Sequence, residues 1–402
     1  MRLSAMHRVM AAGLLVAAAG AAMSVRLLAA HHAKTRVLGL DKVIAFTYSP
    51  GKDFDPKQLH SVTFIGPLNA ADWKYWRPRG VVMGTGHTWF DLMRSPVEKA
   101  VDILAGQDYA GNPQPVMMID EFGFDFGGEM DRKAAQILRQ TKLKKPDLAL
   151  AVWDMRGPIP QVLAETYRDV ADLVMMESYV GSRRQYWWIA SQAWSARKFG
   201  ILPKTIFVLG VGKGGNPGED WAETKEELEQ QIRFVRLIAP ESPGVGFFGG
   251  TPELLNAADA LCAHFMQIPT AGAGLPEEVR NLAQTFSRRY ANPTLVVSPS
   301  FVQPDYKENG SGALSDSKSM RAYLINLGDS DAKNVKVRLR NQPNLGGNVF
   351  AEGVVPVIPA GSEAIGVLNI TDMWREWVGQ WILEVDAPGC NVLSFKQEPS
   401  AK

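Results

Sequence analysis

PVMMIDEFGFD, residues 115–125, is the stretch that decides the fold. Four apolar residues, Val116-Met117-Met118-Ile119, run straight into Asp120-Glu121. A short, continuous apolar run is the pattern of a parallel strand buried on both faces. Acids at its far end fall where a barrel strand meets its loop. Upstream lie VIAFTYS (43–49), SVTFIGPL (61–68) and GVVMGTGHTWF (80–90); downstream follow LALAVWDM (148–155), ADLVMMESYV (171–180), TIFVLGVG (205–212) and GVGFFGG (244–250). Most of these runs are followed by a helix-like stretch. Eight such units predict a (β/α)8 TIM barrel over residues 41–268, close to the ~250 residues usual for that fold. A doubly wound open sheet is the alternative. It would need a glycine-rich phosphate loop after the first strand; GVGKGGNP (210–217) has glycines at GxGxxG spacing (Gly210, Gly212, Gly215), but it follows the seventh run and has no P-loop Lys-Ser/Thr pair. It reads as a flexible loop.

Helix-start signals support the alternation. Ser95-Pro96-Val97-Glu98 combines an N-cap, a proline at the first helical position and a capping-box glutamate. Thr224 and Glu227 repeat the capping box, ahead of a helix that places Leu228, Ile232, Val235 and Ile238 on one face. Residues 129–140 have the same amphipathic spacing. The first two units are shorter and less regular.

At the N-terminus, Arg2 and Arg8 precede an apolar stretch over residues 9–25 rich in Ala, Leu and Gly. Residues 1–30 therefore read as a secretory signal or an uncleaved anchor that tethers the chain to a membrane. Residues 31–40 read as a tether. The expected location is secreted, periplasmic or cell-surface. Lys+Arg 43 against Asp+Glu 42 leaves a net charge of +1. Without a basic face, nucleic acid is not expected as a partner. The two cysteines, Cys262 and Cys390, fall in separate modules and are expected as free or buried thiols. Oligomeric state has no signature in the sequence.

The character changes after the barrel. Residues 269–292 form a linker and a helix. Over 293–398, TLVVSPSFV, MRAYLINLG, KNVKVRLR, GNVFAEGVVPVI, EAIGVLNI and QWILEVDA alternate in polarity between turn residues. That pattern predicts a small all-β antiparallel sandwich. AYLINLGDSDAKNVKVRL (322–339) resembles the CARDB-like immunoglobulin modules of secreted bacterial proteins, which implies a spacer or packing partner.

Carboxylates mark the strand ends that could carry chemistry: Asp120 and Glu121 on strand four, Asp154 on strand five, Glu177 on strand six. Strict period-two alternation points Asp120 and Glu121 in opposite directions. Carboxylates on strands four and six lie across one intervening strand, and at a strand spacing of ~4.8 Å separations of about 5 to 10 Å are available to them, a range that covers both geometries of glycoside hydrolysis. That chemistry needs one protonated acid for the leaving oxygen and one ionised carboxylate as nucleophile or base. Glu121 is expected as acid/base and Glu177 as nucleophile or base, with Asp120 and Asp154 tuning them. His87 and Tyr179 are expected to contact substrate. Tyr48, Trp89 and Trp153 are expected as flat platforms for sugar rings. Trp73 and Trp76 are candidates to extend a groove, and Trp187-Trp188 to form a helix's apolar face. No HxH or HExxH spacing occurs, so no metal and no cofactor is expected. A serine elbow, GxSxG, is absent too.

IDEFGFD on strand four and MMESY on strand six resemble the TIM-barrel glycoside hydrolase superfamily. The pattern is similar to that of chitinase-like enzymes, DxxDxDxE on strand four and MxYD on strand six, but departs from both. With Asp120 as the first aspartate, Gly123 stands where a second belongs, followed by Asp125 and Gly127, and strand six lacks its aspartate. Substrate-assisted catalysis of the chitinase kind is therefore unsupported. Strands seven and eight end without a carboxylate, unlike the common plan with acids on strands four and seven. The resemblance implies an exported glycoside hydrolase acting on a poly- or oligosaccharide. The competing readings are a non-catalytic carbohydrate-binding or cell-surface structural protein on the same scaffold, and a lyase or isomerase barrel using a metal.

Overall fold

The computed structural model describes residues 36–47, 56–66, 74–88, 92–107, 115–155, 157–180, 186–212, 221–305, 318–341, 346–371 and 381–395. Residues 1–35, which include the expected signal or anchor segment, lie outside them with Tyr48, Trp73 and Trp89, as does the side chain of His87.

Eight parallel strands close into a barrel in sequence order: β1 (Val43–Thr47), β2 (Phe64–Gly66), β3 (Val82–Thr88), β4 (Val116–Phe122), β5 (Ala149–Asp154), β6 (Leu173–Ser178), β7 (Thr205–Val211) and β8 (Gly244–Gly249). Each coincides with one of the eight apolar runs. The seam is made by β1 against β8, from Val43 opposite Gly244 to Thr47 opposite Phe248. Alternation along each strand separates two cores. Val43, Ala45, Phe64, Val116, Met118, Ala151, Trp153, Leu173, Met175, Ile206 and Val208 fill the barrel. Ile44, Met117, Ile119, Val152, Val174, Met176, Phe207 and Phe247 face the helices. Both sets are buried, so the strands have to be apolar throughout, each fully buried aliphatic side chain contributing about 1.5–3 kcal/mol. Below the strands, Val37 and Leu40 pair across a tight turn; Val37 is buried and packs with Leu38 and Leu40 against the inner core. These last residues of the expected tether thus cover the barrel floor.

The helices are α1 (Val97–Gly106), α2 (Glu129–Lys144), α3 (Gln161–Val170), α4 (Tyr186–Lys198), α5 (Lys225–Ile238), α6 (Pro252–Ala263) and α7 (Glu277–Ser287). The capping box of α5 forms as the sequence predicts: the Glu227 amide donates to Thr224 Oγ1 at 3.2 Å and the Thr224 amide donates to Glu227 Oε2 at 3.2 Å. Leu228, Ile232, Val235 and Ile238 are all buried. At α1 the start is one residue later than expected, with Pro96 at the N-cap and Val97 first in the helix. Among the described residues, no helix is long and apolar enough to cross a membrane.

The C-terminal region is a mostly antiparallel sheet. Its strands run β15-β12-β13-β14-β11-β9-β16, with β10 paired to β11 and β16 parallel to β9. Here β9 is Thr294–Val297, β10 Val302–Pro304, β11 Ser319–Asn326, β12 Ala332–Asn341, β13 Val349–Ile358, β14 Glu363–Ile370, β15 Trp381–Asp386 and β16 Asn391–Ser394. The two faces of β11 have different partners. Met320, Ala322 and Leu324 face the sheet's own core, whereas Tyr323 and Ile325 join the barrel's outer core beside Phe301. Cys262 is buried, Cys390 is half-buried, and both are free.

Candidate active site

The β4 end holds the main departure from simple alternation. Ile119 is registered opposite Val152, yet Phe122 is registered opposite Asp154. Two residues of β4, Asp120 and Glu121, therefore stand against a single residue of β5, Trp153. This is a β-bulge, a device common beside active sites because it re-aims a side chain. Ile119 and Phe122 both lie in the outer core. Under strict alternation Phe122 would have faced inward, after Met118 and Asp120. The extra residue interrupts the strict alternation expected of Asp120 and Glu121: both fall on the stretch opposite Trp153, whose ring is inside the barrel.

Glu121 has φ +59°, the left-handed region that a side-chain-bearing residue enters at a cost. Gly123 follows at φ +93°. Strain of this kind persists where the surroundings over-determine it, typically at functional sites. Glu121 and Asp120 are both half-buried. Burial pushes the Glu121 carboxyl above its ordinary value, and the charge of Asp120 raises it further.

Glu177 sits at the end of β6, half-buried, with Val208 as its β7 partner. Trp153, inside the barrel on β5, separates it from the β4 acids, so the acids stand two strand spacings apart, about 10 Å at ~4.8 Å each. Above Trp153 lies an aromatic wall. Tyr179 and Phe248 stack with centroids 5.0 Å apart and planes at 14°. Trp221 contacts Tyr179 at 5.2 Å and Phe248 at 5.4 Å, while Trp153 meets Phe248 edge-on at 5.8 Å.

Trp221 was not singled out by the sequence. It follows the glycine-rich loop after β7, and Ala222 bonds back to that strand: its amide donates to the Gly210 carbonyl at 3.1 Å, and the Gly212 amide donates to Ala222 at 2.7 Å. A Cβ on Gly210 would lie 2.7 Å from the indole, and one on Gly249 also 2.7 Å. These glycines are the space the indole occupies. That is the signal that could have found it.

The other expected residues fall unevenly. Asp154 is fully buried on the outer side of β5, accepting a hydrogen bond from Tyr167 Oη of α3 at 2.7 Å. Burial, and then the Asp154 charge, hold the phenol well above its ordinary value, so it remains a donor. Asp154 thus belongs to the strand–helix layer rather than the mouth, because neighbouring residues of a strand face opposite sides and Trp153 takes the inner one. Trp76 is buried in the outer core and does not line a groove. Trp187 is buried as well, stacked on Phe395 at 5.5 Å. Asp125, the second aspartate of IDEFGFD, is fully buried and caps α2, accepting from the amides of Met130 and Asp131. His87 is registered opposite Ile119 along β3. Among the described residues, no three His, Cys, Asp or Glu side chains are grouped to hold a metal.

No protein-family model matches the sequence, and no curated protein resembles it. Among solved structures the chain is similar to a GH27 β-L-arabinopyranosidase of Geobacillus stearothermophilus (11% identity, 84% of this chain and 91% of that one, TM-score 0.34). It is also similar to β-glucuronidase 2 of Bacteroides uniformis (10%, 88% and 46%, TM-score 0.35) and to a family GH18 chitinase of Chromobacterium violaceum (9%, 87% and 90%, TM-score 0.32). The chain spans 62% of another arabinopyranosidase chain and about half of the glucuronidase. These neighbours are glycoside hydrolases.

Proposed function

We propose that this chain is an exported glycoside hydrolase acting on a poly- or oligosaccharide at the C-terminal mouth of the barrel. The observation that carries the reading is the β4 bulge. It sets Asp120 and Glu121 against Trp153 and leaves Glu121 with a carboxyl that favours its proton. Glu121 is the general acid: its proton passes to the glycosidic oxygen as the bond from that oxygen to the anomeric carbon breaks. Glu177 is the ionised partner, either attacking the anomeric carbon or taking a proton from the attacking water. Asp120 maintains the difference between the two acids through its charge. Tyr179, Phe248 and Trp221 offer flat apolar faces for a sugar ring. Tyr48, Trp89 and His87 remain substrate-contact candidates from their positions in the sequence, and the N-terminal segment is the proposed export signal or membrane tether. The C-terminal sheet is read as an immunoglobulin-like packing module.

Turnover of a glycan and aryl-glycoside panel by the full chain, compared with Glu121→Gln and Glu177→Gln, tests the assignment. Hydrolysis that both variants lose supports it. Hydrolysis that survives both would overturn the pair, and retained binding without turnover by the intact chain would mark a binding protein instead.

A further inference from the structure

The Glu177 backbone carbonyl is held from the helix layer, not only by its own sheet. Gln192 Nε2 of α4 donates to it at 2.8 Å, and Trp188 Nε1 donates to the same oxygen at 3.2 Å. The Gln192 amide has its orientation fixed at the other end, where Ser178 Oγ donates to its Oε1 at 2.7 Å. Gln192 and Ser178 are fully buried. In such surroundings these hydrogen bonds are costly to lose, since a buried side-chain donor that loses its acceptor carries its desolvation penalty. The peptide that carries Glu177 is thus clamped to α4.

That helix is in turn gripped by the C-terminal sheet. Phe301 lies 6.0 Å from Trp188 and 5.4 Å from Trp187, and Phe395 stacks on Trp187 at 5.5 Å with planes at 15°. Phe301 is itself fully buried and packs edge-on to Tyr323 of β11 at 6.3 Å. A continuous set of contacts therefore runs from the sheet through Phe301 and Trp188 to the peptide of Glu177.

We infer that Trp188 and Gln192 are positioning residues for the Glu177 carboxylate, and that the C-terminal sheet fixes their placement through Phe301. The sheet is then part of the active centre's support, not only a spacer. This rests on the reading of Glu177 as a reacting carboxylate, so the test has one readout that needs no turnover.

Trp188→Phe keeps an aromatic ring and removes one donor. Gln192→Met keeps the side-chain length and removes the other. Phe301→Leu loosens the sheet contact, and Val354→Ser, at an exposed position of β13, is the control. In the full chain labelled with side-chain 13C-glutamate, Glu177 is assigned by its loss in Glu177→Gln. Its carboxyl titration is expected to move by about 0.5 unit or more in the first three variants, with Val354→Ser unchanged. On whichever 4-nitrophenyl glycoside the intact chain hydrolyses, kcat is expected to fall about tenfold with KM within about twofold. Folded Trp188→Phe and Gln192→Met proteins whose Glu177 titration matches the intact chain would overturn the inference. If no glycoside is hydrolysed but the titration moves, the glycosidase reading fails and the positioning stands.

Discussion

Phe122 on β4 is registered opposite Asp154 on β5, one residue out of step with the Ile119–Val152 pair below it. That single extra residue brings Asp120 and Glu121 to the same stretch of the mouth, and it leaves Glu121 at φ +59°.

The backbone at Glu121 is better suited to glycine. Glu121→Gly relieves a left-handed conformation that costs a side-chain-bearing residue roughly 1–2 kcal/mol, less the entropy that glycine adds to the unfolded chain. Denaturant unfolding should show a chain as stable as the original or more so, with glycan hydrolysis abolished. A large loss of stability would mean that the carboxyl holds the bulge together.

Asp125 gives a pH dependence with a definite sign. Burial and then the neighbouring Asp131 charge raise its carboxyl from 3.8 to about 7, against the two α2 amides and Arg321, which pull it down. Because the folded value exceeds the unfolded one, its contribution to stability is complete below about pH 3.8 and is lost as pH rises towards 7. At about 1.4 kcal/mol per unit, Asp125→Asn should visibly flatten urea-unfolding stability between pH 4 and 7. An unchanged slope would show that Asp125 titrates normally.

Tyr167→Phe separates layer residues from mouth residues. It removes the donor to Asp154 Oδ2 and leaves a fully buried carboxylate short of a partner, a loss of about 1–3 kcal/mol. Thermal unfolding should register that loss while kcat changes little. A collapse of kcat in a folded Tyr167→Phe protein would place Asp154 in the chemistry.

Gly210→Ala tests the aromatic wall. The added methyl would meet the Trp221 indole at 2.7 Å, so the ring has to move. Oligosaccharide affinity by calorimetry should fall by about tenfold or more, the ~1.4 kcal/mol equivalent of weakened ring contacts. Unaltered affinity would remove Trp221 from the binding surface.

All eight strands were legible because a barrel strand is buried on both faces, which makes runs such as Val116–Ile119 apolar throughout. The α5 capping box was legible because its hydrogen bonds are local. The bulge was not: it is defined by the register of β4 against β5, and Ile119-Asp120-Glu121-Phe122 reads as plain alternation without its neighbour. The inward Trp153 could have placed Asp154 outside by the same alternation. Trp221 stayed hidden because its role depends on two distant glycines, Gly210 and Gly249. The clamp on Glu177 was out of reach for a similar reason, as Gln192 lies fifteen residues away in a helix that reads only as apolar.

The most direct measurement is the rate of hydrolysis of the best panel glycoside by Glu121→Gln and Glu177→Gln beside the intact chain, with ligand binding measured on the same preparations. The account predicts losses of about a hundredfold or more in kcat for each, with binding retained. Either variant hydrolysing at the rate of the intact chain would contradict it.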